Sequence, residues 1–549
     1  MGTSIRGTAV RRVEDPHFLT GDATYIDNLT LPGALQVVYV RSVVPHARIT
    51  SIDVSDALAV PGVVAVYTWP DLGIDLQRPL PFADRGMSRA LLAHDVVRFV
   101  GEPVAAVLAE TRSIAVDAAE LVVIDYDALP AVVEVEDALL DEIVLFPEVG
   151  TNVAARAGEP TDETLFAGCE VVVECRIVQP RLAPAPLEVR TATSLWESGR
   201  LTQWSCSQGA HGAKANLVRF LGVSPDDVRV IVPDVGGGFG AKVGFYPEEL
   251  LNALFARMLD RPVHWVETRT ENLVGMFHGR AQVQHARLGG GRDGTLLAYE
   301  LEIVQDCGAY PSIGPMMPGS TILMASGAYR IPNVGARAVS VATNTTPVGA
   351  YRGAGRPEAT AAIERMIDLY AAEIGMDSAD LRFRNLIASD SFPYETPTGA
   401  CYDSGNYAGA LDKLLATAQY EELRAEQRRL RATDSPTVLG IGISVYVEVT
   451  NRMGAGEFAA IEVTGGGGAI VHTGSSAHGQ GHATAWAMIA ADVTGIEMED
   501  IEVRFGDTDE IPRGGGTHGS RSLQVGGAAV HAASEELVEL GRKLAAEQL

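Results

Sequence analysis

Basic charge is scarce in this sequence. Its 549 residues carry 43 Lys and Arg against 70 Asp and Glu, a formal net charge of −27. That balance excludes a nucleic-acid or anionic-membrane surface, since both need clustered cations. Aromatic residues make up only 6% of the chain. No apolar run approaches the roughly 18 residues that span a bilayer. The opening Met1–Arg6 starts no signal peptide, and Arg11-Arg12 is not followed by the apolar segment of a twin-arginine leader. A soluble, cytoplasmic protein without a membrane span is expected. Cysteine is sparse too. Cys169, Cys175, Cys206, Cys307 and Cys401 are odd in number, scattered and without C-x2-C spacing. They argue against a disulfide framework and against a zinc or iron–sulfur site within the chain, and read as small buried hydrophobes.

Motifs for a protein-borne nucleophile are missing as well. Gly474-Ser475-Ser476-Ala477 is followed by His478, so there is no G-x-S-x-G, and Lys242 follows Ala241, so there is no Walker A loop. No H-E-x-x-H or EF-hand loop occurs. If the protein is an enzyme, a cofactor carries the chemistry.

What is abundant is apolar residues and glycine. An apolar share of 46% can bury a large core, and 58 glycines are well above the usual share of about 7%. Residues 1–138 read as a compact mixed unit with the β-rich runs Leu35–Val40, Val63–Tyr67 and Val104–Leu108 and a helix through Ala115–Leu121. Residues 139–165 read as a loose acidic connection. A second region to about Ala388 contains a helix opened by Pro357, with Ile363, Met366, Ile367, Tyr370, Ala371 and Ile374 at helical spacing and Gly375 at its end. After an amphipathic stretch at Tyr407–Ala432, a third region begins near Leu439 with a hairpin, a helix at Ala483–Asp492 and a final helix from Ala528. Helical periodicity runs to the last residue without a capping Gly, so this region reads as unfinished.

Four glycine-rich loops carry the functional signal. Gly236-Gly237-Gly238-Phe239-Gly240-Ala241-Lys242 fits a dinucleotide fingerprint as a string, but no helix opens at once and no acidic residue ends a second strand. A tight turn and close backbone approach to a cofactor remain as readings. Thr345–Pro357 leads into the helix opened by Pro357, its glycines flanked by Arg352 and Arg356, a place for a phosphate or for structural ion pairs. Gly479-Gln480-Gly481-His482 and Gly514–Ser522 again join glycine with His, hydroxyl or Arg near a helix start. Together the four point to one long, phosphate-bearing ligand.

These motifs, with Gly21–Tyr25, Arg41-Ser42, His46-Ala47, Val100–Ala105, Gln208, Asp306–Tyr310, Asp403–Gly405 and Gly506–Thr508, resemble the molybdopterin-binding large subunits of the molybdenum hydroxylases. That group includes xanthine dehydrogenase, aldehyde oxidase and carbon monoxide dehydrogenase, and this chain is similar to the form II, carbon monoxide dehydrogenase-like members. The resemblance implies an α+β, mixed α/β architecture. A hammerhead domain at 1–138 and a linker at 139–165 would precede cofactor-binding domains at 166–405 and 406–549, the last incomplete. It implies a molybdenum–molybdopterin cytosine dinucleotide, its metal held by the pterin dithiolene and not by protein side chains. Gln208 would hydrogen-bond a ligand oxygen on the metal. Gly238, Phe239 and Gly240 would bring backbone against it. Arg352, Gly353 and Ala354 would form the cofactor loop. Gln480, Gly481 and His482 would lie near pterin and pyrophosphate, and Ser520, Arg521 and Ser522 on the cofactor's far side.

The implied reaction is hydroxylation at carbon with water as oxygen source. Electrons would leave through iron–sulfur clusters and FAD on a small and a medium subunit, in a dimer of heterotrimers. Departures narrow the substrate. The Tyr351–Arg356 loop lacks the Cys of copper-containing carbon monoxide dehydrogenases. Val243 and Ala354, at substrate-pocket positions, replace a Glu and a Phe of xanthine-type enzymes. Aldehydes or N-heterocycles are expected. The family's general-base Glu has no counterpart here, since Gly101-Glu102, Gly158-Glu159 and Gly456-Glu457 fit no such role. The chain alone is therefore expected to be inactive, either as a fragment or as a split, non-catalytic half completed by a second chain.

Overall fold

The computed structural model describes residues 4–244, 246–452, 454 and 456–549. Its largest sheet has seven strands, in the order Val228–Ile231, Arg200–Ser205, Thr191–Glu197, Val263–Val266, Leu35–Arg41, Pro103–Ala109 and Val63–Tyr67. Every residue of Pro103–Ala109 is buried, so this strand needs cover on both faces. Ala105, Val107 and Ala109 pack on Ala115 and Ala118 of the helix Arg112–Ala119. Ala106 and Leu108 join the core containing Leu251 and Phe255 of the helix Pro247–Leu259.

The N-terminal unit is therefore not self-contained, unlike the reading from sequence. Its strand Leu35–Arg41 pairs antiparallel with Pro103–Ala109 and parallel with Val263–Val266, continuing one sheet across the two regions. The stretch expected as a loose connection is also built in. Within 139–165 the strand Val153–Ala157 pairs with Asn333–Val341, and Leu145 and Phe146 are buried. Buried Asn152 fixes that turn by donating to the carbonyls of Ala138 and Ile143 and accepting from the Leu145 N–H.

A five-stranded sheet runs Val153–Ala157, Asn333–Val341, Leu296–Asp306, Gly279–Gly290 and Val171–Leu182. The helix Arg356–Ile374 crosses it, with Ile363, Met366, Ile367 and Tyr370 packed against Leu288, Tyr299 and Leu301. Its start at Pro357 and its left-handed cap at Gly375 match the sequence pattern. The stretch 407–432 divides into Tyr407–Thr417 and Tyr420–Arg431 because Gln419 takes a φ of +52°. In the third region the hairpin Ala459–Val463 and Ala469–Thr473 adds Ile501–Arg504 in parallel. Trp486 of the helix His482–Thr494 and Val530 of the helix Ala528–Gln548 cover this small sheet. Among the described residues no helix is long and apolar enough to cross a membrane.

Candidate cofactor site

Gln208 sits in the turn between the strand Arg200–Ser205 and the helix Ala210–Leu221, buried to 4% exposure. Its Oε1 accepts from the backbone N–H of Gly240 at 2.8 Å and of Lys242 at 3.2 Å, which fixes the orientation of the amide. Nε2 donates to the Thr517 carbonyl at 2.8 Å, and the Thr517 N–H returns a bond to the Gln208 carbonyl. One side chain thus ties the 236–242 loop to the 514–522 loop, far apart in sequence. An amide nitrogen has two donors, so one N–H remains for a ligand.

Close approach explains the glycines at this junction. Gly238 lies directly against the Gln208 amide. Gly240 has a φ of +96°, and a Cβ there would stand 2.9 Å from the Ala350 carbonyl oxygen. Gly516 has a φ of +74°, and its Cβ would stand 2.7 Å from the Gln208 carbonyl oxygen. Any side chain at either position would be strained and would push the loops apart.

The loop at 350–356 docks on the first one, with the Arg352 N–H donating to the Phe239 carbonyl at 2.8 Å. Phe239 and Ala354 both have positive φ, and Gly353 continues the same turn. Arg280 holds the loop from outside by donating to the carbonyls of Tyr351 and Arg352. The guanidinium of Arg352 is exposed and makes no hydrogen bond or ion pair among the described residues. For Arg356 the structure selects the second of the two readings, a structural ion pair. Its side chain donates to the carbonyls of Gly353 and Val449 and pairs with Glu448, so it is spent on structure.

At the third loop Gln480 accepts from the His478 N–H and lies 3.1 Å from His482 Nε2, while Gly481 caps the helix His482–Thr494. His478 Nε2 and His482 Nδ1 are buried without hydrogen-bond partners among the described residues. Burial holds the imidazole of His478 down to about 3 and that of His482 down to about 4. The N-terminal segment, which sequence reasoning did not connect to this site, closes over it. Arg12 donates to the Gly479 carbonyl, and Glu14 accepts from the Thr484 hydroxyl. In the fourth loop Ser520 bonds Glu448, Ser522 bonds Thr517, and Arg521 reaches the Gly456 carbonyl and Glu457.

Two more residues escaped the sequence reading. Glu188 accepts from the Gly236 N–H at 2.9 Å and pairs with Lys242 Nζ at 2.8 Å, so Lys242 is not available to a phosphate. The only sequence signal is its place after the tight Pro184-Ala185-Pro186-Leu187 turn. Beneath the loops, fully buried Arg190 bridges Glu248 and Glu267 and stacks 4.1 Å over Tyr246. Burial pushes Glu248 up, but Arg190 and Arg41 outweigh it and hold the carboxyl down to about 2. Tyr246 in turn donates to the Ala241 carbonyl, which carries this rigidity into the glycine loop.

The loops enclose connected space. A cavity of about 1020 Å³ is lined by Gly236, Gly237, Phe239, Arg352, His478 and Gly479. Another of about 1370 Å³ shares Arg12, Phe18 and Gly479 with it and continues past Gly481. A smaller space of about 90 Å³ adjoins Gln208 and Val243, where burial pushes Glu249 up to about 8. Ala354, expected in the same substrate pocket as Val243, does not line it. An extended space walled by backbone, with orphaned imidazole nitrogens and an uncommitted guanidinium, fits a long cofactor with heteroaromatic and phosphate parts.

The site and fold define a cofactor-enveloping protein. Residues 145–386 and 413–549 match the molybdopterin cofactor-binding domain. Residues 20–130 match the aldehyde oxidase and xanthine dehydrogenase a/b hammerhead domain. The carbon monoxide dehydrogenase large chain of Hydrogenophaga pseudoflava is 36% identical over 98% of this chain and 71% of its own length. The 6-hydroxypseudooxynicotine dehydrogenase complex subunit gamma of Paenarthrobacter nicotinovorans is 36% identical over 99% of this chain and 70% of its own. The crystal structure of quinoline 2-oxidoreductase from Pseudomonas putida 86 superposes with a TM-score of 0.92 at 34% identity, over 98% of this chain and 71% of that one. The chain belongs to the molybdenum hydroxylase large-subunit family.

Proposed function

We propose that the protein is the catalytic large subunit of a molybdenum hydroxylase that oxidises an N-heterocycle or an aldehyde. The observation that carries this reading is that three loops line one cavity system through Phe239, Arg352 and His478, while the Gln208 side chain ties the fourth loop, at Thr517, to the first. The cofactor is molybdenum–molybdopterin cytosine dinucleotide, which supplies two-electron chemistry for hydroxylation at carbon with oxygen from water. Gln208 offers its remaining N–H to it. Phe239 and Gly240 present backbone, Arg352 pairs with anionic groups, and Gln480, Gly481 and His482 hold the pterin side. Ser520, Arg521 and Ser522 fix the backbone of the fourth wall.

Two relatives, named for quinoline and for 6-hydroxypseudooxynicotine, act on N-heterocyclic compounds, which supports that substrate class. The Tyr351–Arg356 loop has no thiol for a copper centre. Electrons pass to iron–sulfur clusters and FAD on a small and a medium subunit, in a cytoplasmic dimer of heterotrimers.

A second reading is favoured by a specific observation. Three carboxylates around the cradle are engaged, Glu188 with Lys242, Glu457 with the Gly515 N–H, and Glu448 with Arg356 and Ser520, while Glu249 beside Gln208 is pushed up to about 8 by burial. On this reading the chain is a cofactor-binding half whose general base comes from a second polypeptide. Turnover of aldehydes and N-heterocycles with a dye acceptor tests both. Activity of the purified, molybdenum-loaded chain supports the first reading. Loaded but inactive protein that gains activity with an added segment supports the second. Protein that binds NAD and no molybdenum refutes both.

A further inference from the structure

We propose that the cavity between the loop 73–89 and the helix Ala210–Leu221 selects anions, and that the substrate it passes toward the cofactor is an N-heterocyclic carboxylate. The cavity holds about 870 Å³. Arg78, Arg85, Arg89, Arg219 and Arg257 stand in its walls, against Asp75 as the one acidic residue among the described lining. In a chain of net charge −27 that is a local reversal of sign. A concave site of one sign concentrates ions of the other. Phe277 and Tyr310 line the same space and offer rings on which an aromatic ligand can stack.

Local structure builds this wall. Gln77 and Arg89 exchange backbone hydrogen bonds at 2.7 and 2.8 Å, which closes the loop, and buried Met87, Leu91 and Leu92 anchor its returning arm. Asp84 accepts from the Gly86 N–H, so this carboxylate serves the turn. Arg78 and Arg85 are exposed, and their side chains make no hydrogen bond or ion pair among the described residues. Arg89 is the decisive group. It is only 8% exposed and stands 5.4 Å over the Phe99 ring and 5.2 Å over the Tyr310 ring. Its Nε is buried with no hydrogen-bond partner among the described residues. A guanidinium carries five donors and no acceptor, and a buried cation without hydrogen bonds is costly. Facing a cavity, Arg89 is a ready counter-charge for a carboxylate. Arg257 stacks over Trp196 and donates to the Leu221 carbonyl, so it is held in place and adds its field.

The cavity leads inward. It shares Asn216 and Leu250 with the smaller space beside Gln208 and Val243. One face of the helix Ala210–Leu221 walls both, with Gly212, Ala213 and Asn216 on the inner space and Asn216, Arg219 and Phe220 on the outer. The stretch from Gly209 to Arg219 rises about 15 Å. The anion is therefore gripped on the way in, short of the reacting carbon. At the inner end burial pushes Glu249 up to about 8. Its carboxyl is neutral at pH 7 and does not repel an incoming anion. A cationic mouth and a neutral floor together favour an anionic substrate. Only the step from anion to substrate rests on the proposed function; anion binding itself does not.

Isothermal titration of the purified chain with quinoline-4-carboxylate, neutral quinoline and inorganic phosphate tests the anion site without reference to cofactor. The carboxylate should bind at least about tenfold more tightly than either of the others, and its affinity should fall as salt is raised. Arg89→Met should weaken carboxylate binding on the order of tenfold. Arg89 also faces Glu102 and Glu248 electrostatically, so a second variant guards against misfolding. Arg78→Gln combined with Arg85→Gln changes only exposed side chains, and should give a smaller loss with a flatter salt dependence. In molybdenum-loaded enzyme with a dye acceptor, the same double variant should raise KM for the carboxylate more than for quinoline. Equal affinity for carboxylate and quinoline, phosphate binding as tight as the carboxylate, or undiminished carboxylate affinity in both variants would each overturn the inference. Turnover of quinoline with no selectivity for the carboxylate overturns it too, and leaves the proposed function standing. Selective carboxylate binding by protein that takes up no molybdenum supports the anion site and overturns the substrate assignment together with the proposed function.

Discussion

The strand Val171–Leu182 and the run 439–450 are the same length and bury alternate side chains in the same rhythm, yet their backbones differ. The first is an edge strand with one neighbour, bonded along its length to Gly279–Gly290. Among the described residues the second has no strand beside it, and Gln427, Arg382 and Arg356 stand in for a ladder at three carbonyls. Alternation of apolar residues decides which side chains face the core. Backbone pairing depends on what chain is nearby. Where a ladder is missing, long hydrogen-bond-donating side chains satisfy the exposed backbone carbonyls, and the fold leans on them.

The sharpest way to break that arrangement is Arg382→Met. Arg382 is fully buried between Glu364 and Asp368 and holds the Ile443 carbonyl. Its loss strands Glu364 and frees the run, at an expected cost of about 3–5 kcal/mol. Urea unfolding should show that cost, with faster exchange at 439–450 than at 171–182.

Gly516→Val attacks the paired side of the comparison, where loops meet through backbone. With a φ of +74° and a Cβ 2.7 Å from the Gln208 carbonyl oxygen, the variant should lose about 1–3 kcal/mol. Its molybdenum content, measured by mass spectrometry, should fall sharply.

Acid sharpens the picture at the third loop. His478 and His482 are held by burial at about 3 and about 4, against an ordinary 6.5. Unfolding lets both take up protons below pH 6.5, so stability present above that pH is lost as pH falls toward 4 and then 3. A series of melting temperatures between pH 7 and pH 4.5 should slope downward, and the slope should flatten in a His478→Gln, His482→Gln double variant.

The smallest effect on stability belongs to Arg352→Ala. The side chain is exposed and unengaged among the described residues, so stability should change by no more than about 0.5 kcal/mol. Cofactor content should nevertheless collapse. A variant that keeps its molybdenum would remove Arg352 from the cradle.

Much of the candidate site was proposed from the sequence because its signals are local. Runs of glycine before helix starts, with Arg352, Gln480 and His482 next to them, stand out in one dimension, and so do Pro357 and Gly375 at the ends of their helix. What was hidden is what depends on distant partners. Gln208 and Thr517 meet across 309 residues, and nothing in either segment announces it. Arg356 reads equally as an anion site or a structural ion pair until Val449 and Glu448 are seen to occupy it. The strand Val153–Ala157 looks like linker because only pairing with Asn333–Val341 makes it a strand. The N-terminal unit looks separate because the parallel partner of Leu35–Arg41 lies at Val263–Val266.

The central claim is that four loops form one cradle for a molybdenum cofactor, and metal and pterin analysis tests it most directly. Protein purified from molybdenum-replete cells, alone and with the added segment, should carry stoichiometric molybdenum and pterin in at least one of those states. The Arg352→Ala and Gly516→Val variants, folded by circular dichroism, should carry neither. Wild-type protein free of molybdenum in both states, or folded variants that retain it in full, would contradict the account.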